Sequence, residues 1–95
     1  MSKHDEIAEK LAKKFKTEYK SDEGIDLVTK NKVIEVETKK DRLPQDIKQV
    51  IKSSKPRYLA VNKININNAL EATGGTGGGV MSETGRIIKK ASRKK

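Results

Sequence analysis

Residues 24–40, GIDLVTKNKVIEVETKK, decide how this chain folds. Ile25, Leu27 and Val28 form one apolar segment, Lys30-Asn31-Lys32 supplies turn chemistry, and Val33, Ile34 and Val36 form a second segment. Apolar, largely β-branched segments around a short polar turn predict two strands in a hairpin. Alternate strand residues share a face, so Val33, Glu35, Glu37 and Lys39 point one way and Ile34, Val36 and Thr38 the other. Asp26 stands between Ile25 and Leu27, where a half-buried strand rarely places a charge. Three acids and a lysine therefore converge on one patch.

Such a patch suits divalent-metal chemistry. Mg²⁺ takes oxygen ligands, commonly one or two carboxylates together with water and substrate phosphates. A bound ion acidifies its water and neutralises charge on a phosphate oxygen during displacement. Lys39, two residues beyond Glu37, is placed to orient the attacking water or hold the phosphate as a point charge. The plainer reading makes Glu35, Glu37 and Lys39 the solvent face of an amphipathic hairpin. Asp26, embedded among apolar residues, weighs against it.

Upstream, residues 4–19 place Ile7, Ala8, Leu11, Ala12, Phe15 and Tyr19 at helical spacing, with Ser2 as cap and Asp5 and Glu6 in the first turn. Lys10, Lys13, Lys14 and Lys16 read as a solvated face, and His4 as a solvated helix-start residue. Ser21-Asp22-Glu23-Gly24 is a polar turn into the first strand. Downstream, Pro44 opens a helix over 44–53 that carries Leu43, Ile47, Val50 and Ile51 on one side, and Pro56 stops it. Residues 57–62, RYLAVN, form a strand covered on both faces, so the intervening helix is a parallel crossover. A short helix over 65–73 follows. The run Gly74-Gly75-Thr76-Gly77-Gly78-Gly79 lacks the lysine and hydroxyl of a phosphate-binding loop and reads as a flexible connection tolerating positive φ. Val80-Met81 and Arg86-Ile87-Ile88 form a terminal hairpin turning at Glu83-Thr84-Gly85.

Composition bounds the function. Ninety-five residues make one domain, assigned to 1–91, with 92–95 as a basic tail. Only 33% are hydrophobic and 3% aromatic, so the core is small and a homodimer is expected. The 22 Lys and Arg against 13 Asp and Glu leave a formal charge of +9, which favours a polyanionic partner, nucleic acid being the commonest, although lysine enrichment with glutamate also marks proteins of hot-living organisms. With no cysteine, disulfide and thiolate chemistry are excluded. No apolar run reaches transmembrane length and no signal-peptide pattern opens the chain, so a soluble cytoplasmic protein without membrane partners is expected.

The predicted order is α-β-β-α-β-α-β-β. With GID, VIEVETK, the helix after Pro44, RYLAVN and GGGVMSETGRII in that order, nearly the whole chain resembles the restriction-endonuclease-like superfamily. These are the PD-(D/E)xK nucleases, and the likeness is greatest to the small archaeal Holliday-junction-resolvase-like members. The resemblance implies an α/β fold with a mixed sheet of about five strands flanked by helices. It also implies Mg²⁺- or Mn²⁺-dependent DNA cleavage, often by dimers. Asp26 matches the first acid of the motif. Glu37-Thr38-Lys39 matches acid-x-lysine literally, whereas Glu35-Val36-Glu37 matches the hydrophobic context but puts glutamate in the lysine position. The resemblance thus implies Asp26, Glu37 and Glu35 as metal ligands, with Lys39 and a leading-helix acid (Glu6, or else Glu9) completing the catalytic set. Gln49 matches a glutamine that some relatives carry, though Ser53 occupies the place of their tyrosine four residues on. Contacts to the nucleic acid are expected from Lys13, Lys40, Arg42, Gln49, Lys89 and Lys90. The alternative is a nucleic-acid-binding module with a degenerate nuclease site.

Overall fold

Helix α1 (Lys3–Lys14) begins where the Ser2 hydroxyl accepts the Asp5 N–H at 3.1 Å, and buries Ile7, Ala8, Leu11 and Ala12. The computed structural model describes residues 2–19 and 25–92; the turn expected at 21–24 and residues 93–95 of the basic tail lie outside the described residues. The helix ends earlier than the apolar spacing to Tyr19 predicts. Lys16 takes a left-handed φ of 55°, the Thr17 N–H reaches the Ala12 carbonyl at 2.9 Å, and the Lys16 N–H reaches Lys13 at 3.4 Å. This is the Schellman ending, with a lysine where glycine is usual. The early stop lets Tyr19 turn back and bridge to Leu27.

Strand β1 (Leu27–Val28) pairs antiparallel with β2 (Val33–Glu37), Leu27 opposite Ile34 and Val28 opposite Val33. Thr29 organises the turn between them. Its hydroxyl accepts from the N–H groups of Asn31 and Lys32 at 3.1 and 2.9 Å, and its own N–H donates to the Lys32 carbonyl. After a 3₁₀ turn (Lys40–Arg42), α2 (Leu43–Val50) carries Pro44 in its first turn and returns the chain to β3 (Arg57–Val61), parallel to β2. A second 3₁₀ turn (Lys63–Asn65) and α3 (Ile66–Thr73) lead to β4 (Gly79–Ser82), parallel to β3. Strand β5 (Ile87–Lys89) then closes an antiparallel edge. The five strands lie side by side in chain order, the mixed α/β sheet expected.

Both faces of the sheet are covered. Ile34, Val36, Tyr58, Ala60 and Met81 pack with the stripe of α1, while Val33, Leu59, Val61 and Val80 pack with Leu43, Ile47 and Val50 of α2 and Ala69 of α3. Every residue of β2 is buried, so its acids cannot be the solvent face of a hairpin.

The glycine run is not a flexible connection along its whole length. Gly75 and Gly77 turn the chain at φ 75° and 84°, but Gly78 and Gly79 are buried. A Cβ on Gly79 would stand 2.5 Å from the Lys89 carbonyl oxygen and 2.6 Å from the Ala91 nitrogen, both backbone atoms that cannot swing aside. We therefore expect Gly79→Ala to cost about 2–3 kcal/mol, read as a melting temperature lower by roughly 10–20 °C.

Candidate acidic site

The two acids of β2 come to lie in an open cleft of about 430 Å³ at the end of that strand, lined also by His4, Asp26, Lys39, Arg42 and Asp46. The local sequence explains the arrangement. Asp26 immediately precedes β1 and Glu35 is the next position along the β1–β2 ladder, so the hairpin register alone sets them side by side. Glu37 follows one pleat later. Asp46 projects from the first turn of α2, the helix that covers the same face of β2. All four carboxyl residues are 9% exposed or less.

Asp26 is the best connected of them. Its N–H donates to Glu35 Oε1 at 3.0 Å, while its Oδ2 accepts from the Val36 N–H at 2.9 Å and lies 3.1 Å from His4 Nε2. His4 Nδ1 lies 3.1 Å from the Tyr19 hydroxyl, which donates to Asp5 Oδ1 at 2.7 Å. Glu37 Oε2 accepts from the backbone N–H groups of Thr38 and Lys39 at 3.0 and 2.9 Å, and the Arg42 guanidinium stands 3.9 Å from its Oε1. Asp46 Oδ2 is buried without a hydrogen-bond donor.

Crowding four acids into one cleft splits their proton affinities. Burial, then the charge of Asp26, pushes Glu35 up to about 8. Burial, then hydrogen bonding to Glu37 and the charges of Glu37 and Glu35, pushes Asp46 up to about 9. Burial also raises Asp26, although the Val36 N–H and His4 oppose it. Glu37 goes the other way: burial acts against its charge, but bonds from Asp46, Lys39 and Thr38 and the nearby Arg42 outweigh it and hold the group low. Burial thus favours the protonated form of Glu35 and Asp46, while the donors around Glu37 favour its charged form.

The expected residues separate clearly. Asp26, Glu35, Glu37, Lys39 and Arg42 line the cleft, with Lys39 exposed and beyond the end of β2. The hairpin register makes Glu35 the direct neighbour of Asp26. Lys40 is exposed in the adjoining 3₁₀ turn. Glu6 and Glu9 do not join: both are exposed and line a separate hollow on α1, since the first-turn position facing Asp26 belongs to His4. Lys13 lies on the outer side of α1 beside Glu9 and Lys10. Gln49 is half-buried and does not line the cleft, and Lys89 gives its ammonium to the Thr73 hydroxyl at 3.1 Å, while Lys90 is exposed.

Two residues were missed. His4 is not a solvated helix-start side chain but is bonded through both ring nitrogens; a ring at the second position of α1, with no apolar neighbour in sequence, carries no signal of that contact. Asp46 reads as an ordinary first-turn helix acid, and only the packing of α2 on β2 brings it to Glu37.

The donor set is all oxygen and fits a hard divalent cation in kind. Among the described residues, however, no three His, Asp or Glu side chains stand ready to hold one ion. Carboxyl ligands bind such an ion in their charged form, so binding there would compete with protons on the raised acids. Compared with family models, curated proteins and solved structures, the chain matches none. No helix among the described residues is long and apolar enough to cross a membrane.

Proposed function

We propose that this chain is a divalent-metal-dependent endonuclease that hydrolyses DNA phosphodiester bonds, with branched or distorted DNA the substrate form to try first. The observation that carries the reading is the meeting of Asp26, Glu35 and Glu37 in one cleft under a cationic rim of Lys39 and Arg42. Asp26, Glu35 and Glu37 are the residues that would hold Mg²⁺ or Mn²⁺, which when bound supplies an activated water and neutralises charge on the phosphate. Lys39 and Arg42 hold the scissile phosphate at the rim, and Lys40 extends the basic track along the backbone. Burial keeps bulk water from the inner acids and makes each charge there more effective. The test is incubation of the purified protein with plasmid and synthetic four-way junctions in Mg²⁺ or Mn²⁺. Metal-dependent cleavage that Asp26→Ala abolishes supports the reading; no cleavage by the wild type rejects it.

One observation favours a second reading, a nucleic-acid-binding module that does not cut. If Glu35-Val36-Glu37 is the half of the motif beside Asp26, a glutamate stands where the motif has lysine, and Lys39 lies past the strand end. That module retains DNA with a steep salt dependence and is indifferent to EDTA. In either case we take the working form to be a cytoplasmic homodimer, given a small core and the exposed Ile87 and Ile88 on the β5 edge. Sedimentation equilibrium tests the dimer.

A further inference from the structure

We infer that His4 is a positioning residue for Asp26, held in its turn by Tyr19 and Asp5. Two separate parts of the chain converge on one carboxylate oxygen, and a third holds the histidine from behind. The first turn of α1 supplies His4 Nε2 at 3.1 Å, and β2 supplies the Val36 N–H at 2.9 Å, both to Asp26 Oδ2. The segment after α1 supplies Tyr19, whose bridge to Leu27 sets it beside the residue that follows Asp26. Two donors on one oxygen stop the carboxyl group from rotating about its terminal bond.

The histidine is itself fixed. A carboxylate oxygen only accepts, so His4 Nε2 carries the hydrogen in that contact. The hydroxyl of Tyr19 donates to Asp5 Oδ1 at 2.7 Å and its oxygen lies 3.1 Å from His4 Nδ1, so the phenol is anchored on Asp5 and braces the far side of the ring. The Tyr19 and His4 rings lie with centroids 6.0 Å apart and tilted by 50°, so the imidazole is held by its two ring-nitrogen contacts. Outer partners of this kind orient a ligating group and tune what it binds.

The inference rests on the metal-site reading for its binding arm only. The experiment is calorimetric titration of Mn²⁺ into the full chain as wild type, His4→Ala, His4→Gln, Tyr19→Phe and Asp26→Ala. Amide hydrogen exchange of Val36 is followed by NMR on the metal-free proteins. Gln offers an N–H near the place of Nε2, so it separates orientation from mere packing. We expect His4→Ala to weaken Mn²⁺ binding about 10–100-fold, His4→Gln to regain most of that loss, Tyr19→Phe to cost a few-fold, and Asp26→Ala to bind none. Val36 exchange should quicken in His4→Ala and return toward wild type in His4→Gln. Wild-type affinity and wild-type Val36 protection in His4→Ala overturn the inference, as does a His4→Gln protein no better than His4→Ala. If the wild type takes up no Mn²⁺, the metal reading fails separately, and Val36 protection alone decides the role of His4.

Discussion

Replacing Asp26 with alanine is expected to slow metal-dependent DNA cleavage about 10³-fold, while retention on DNA at low salt stays within a few-fold of wild type. Loss of one preorganised charge-stabilising group costs about 10²–10³ in rate, and as the proposed metal ligand Asp26 would do more than one such job. In free energy, 10³-fold is about 4 kcal/mol of transition-state stabilisation. DNA retention is spared because it draws on exposed cations such as Lys39, Lys40 and Arg42, not on a buried acid. Asp26→Asn is the cleaner companion, since its amide oxygen still accepts the Val36 N–H and leaves the hairpin anchored. Steady-state cleavage of a labelled junction measures both. In the same assay Glu35→Gln should approach the loss seen for Asp26, and Lys39→Ala, which removes an exposed phosphate-holding charge, should cost about tenfold or more.

The second large effect is on stability. Glu35 and Asp46 bind protons more tightly folded than unfolded, with native values of about 8 and about 9 against ordinary carboxylate values near 4.5 and 3.8. Between those limits the native state holds protons that the unfolded chain has released, so stability falls as pH rises. The contribution is intact below about pH 4 and lost once pH has climbed through the native values. Asp26, also raised, adds in the same sense; Glu37, lowered, contributes stability above its ordinary value that fades on acidification. Allowing for the mutual coupling of the four acids, urea unfolding at pH 9 should show about 3 kcal/mol less stability than at pH 5. Glu35→Gln with Asp46→Asn should flatten the profile and gain about the same amount at pH 9. Mg²⁺ at a hundred times its dissociation constant should restore about 2.7 kcal/mol to the wild type at pH 9, because the ion replaces the missing protons in the native state alone. A flat profile in the wild type would show that the four acids are not crowded as described.

Much of this was legible in the residues themselves. Period-two and period-3.6 apolar spacing, Pro44 and Pro56 as punctuation, and the turn residues around 29–32 and 83–85 dictate eight elements in the right order, because these are local preferences written into neighbouring positions. The pairing of Asp26 with Glu35 follows almost as directly: a tight hairpin leaves one register, and the register places them together. What the sequence could not say is what arrives from a distance. The early stop of α1 depends on Lys16 accepting a left-handed φ so that Tyr19 can return to Leu27, a choice made by the sheet and not by helical spacing. His4 on Asp26, Asp46 on Glu37, and the exclusion of Glu6 arise from the packing of α1 and α2 on opposite faces of β2, and the closure of Gly78 and Gly79 arises from α2 and the segment after β5. Contacts across tens of residues leave no periodic mark in the chain, so the sequence determined the strands and their acids, while only tertiary packing decided which groups line the cleft with them.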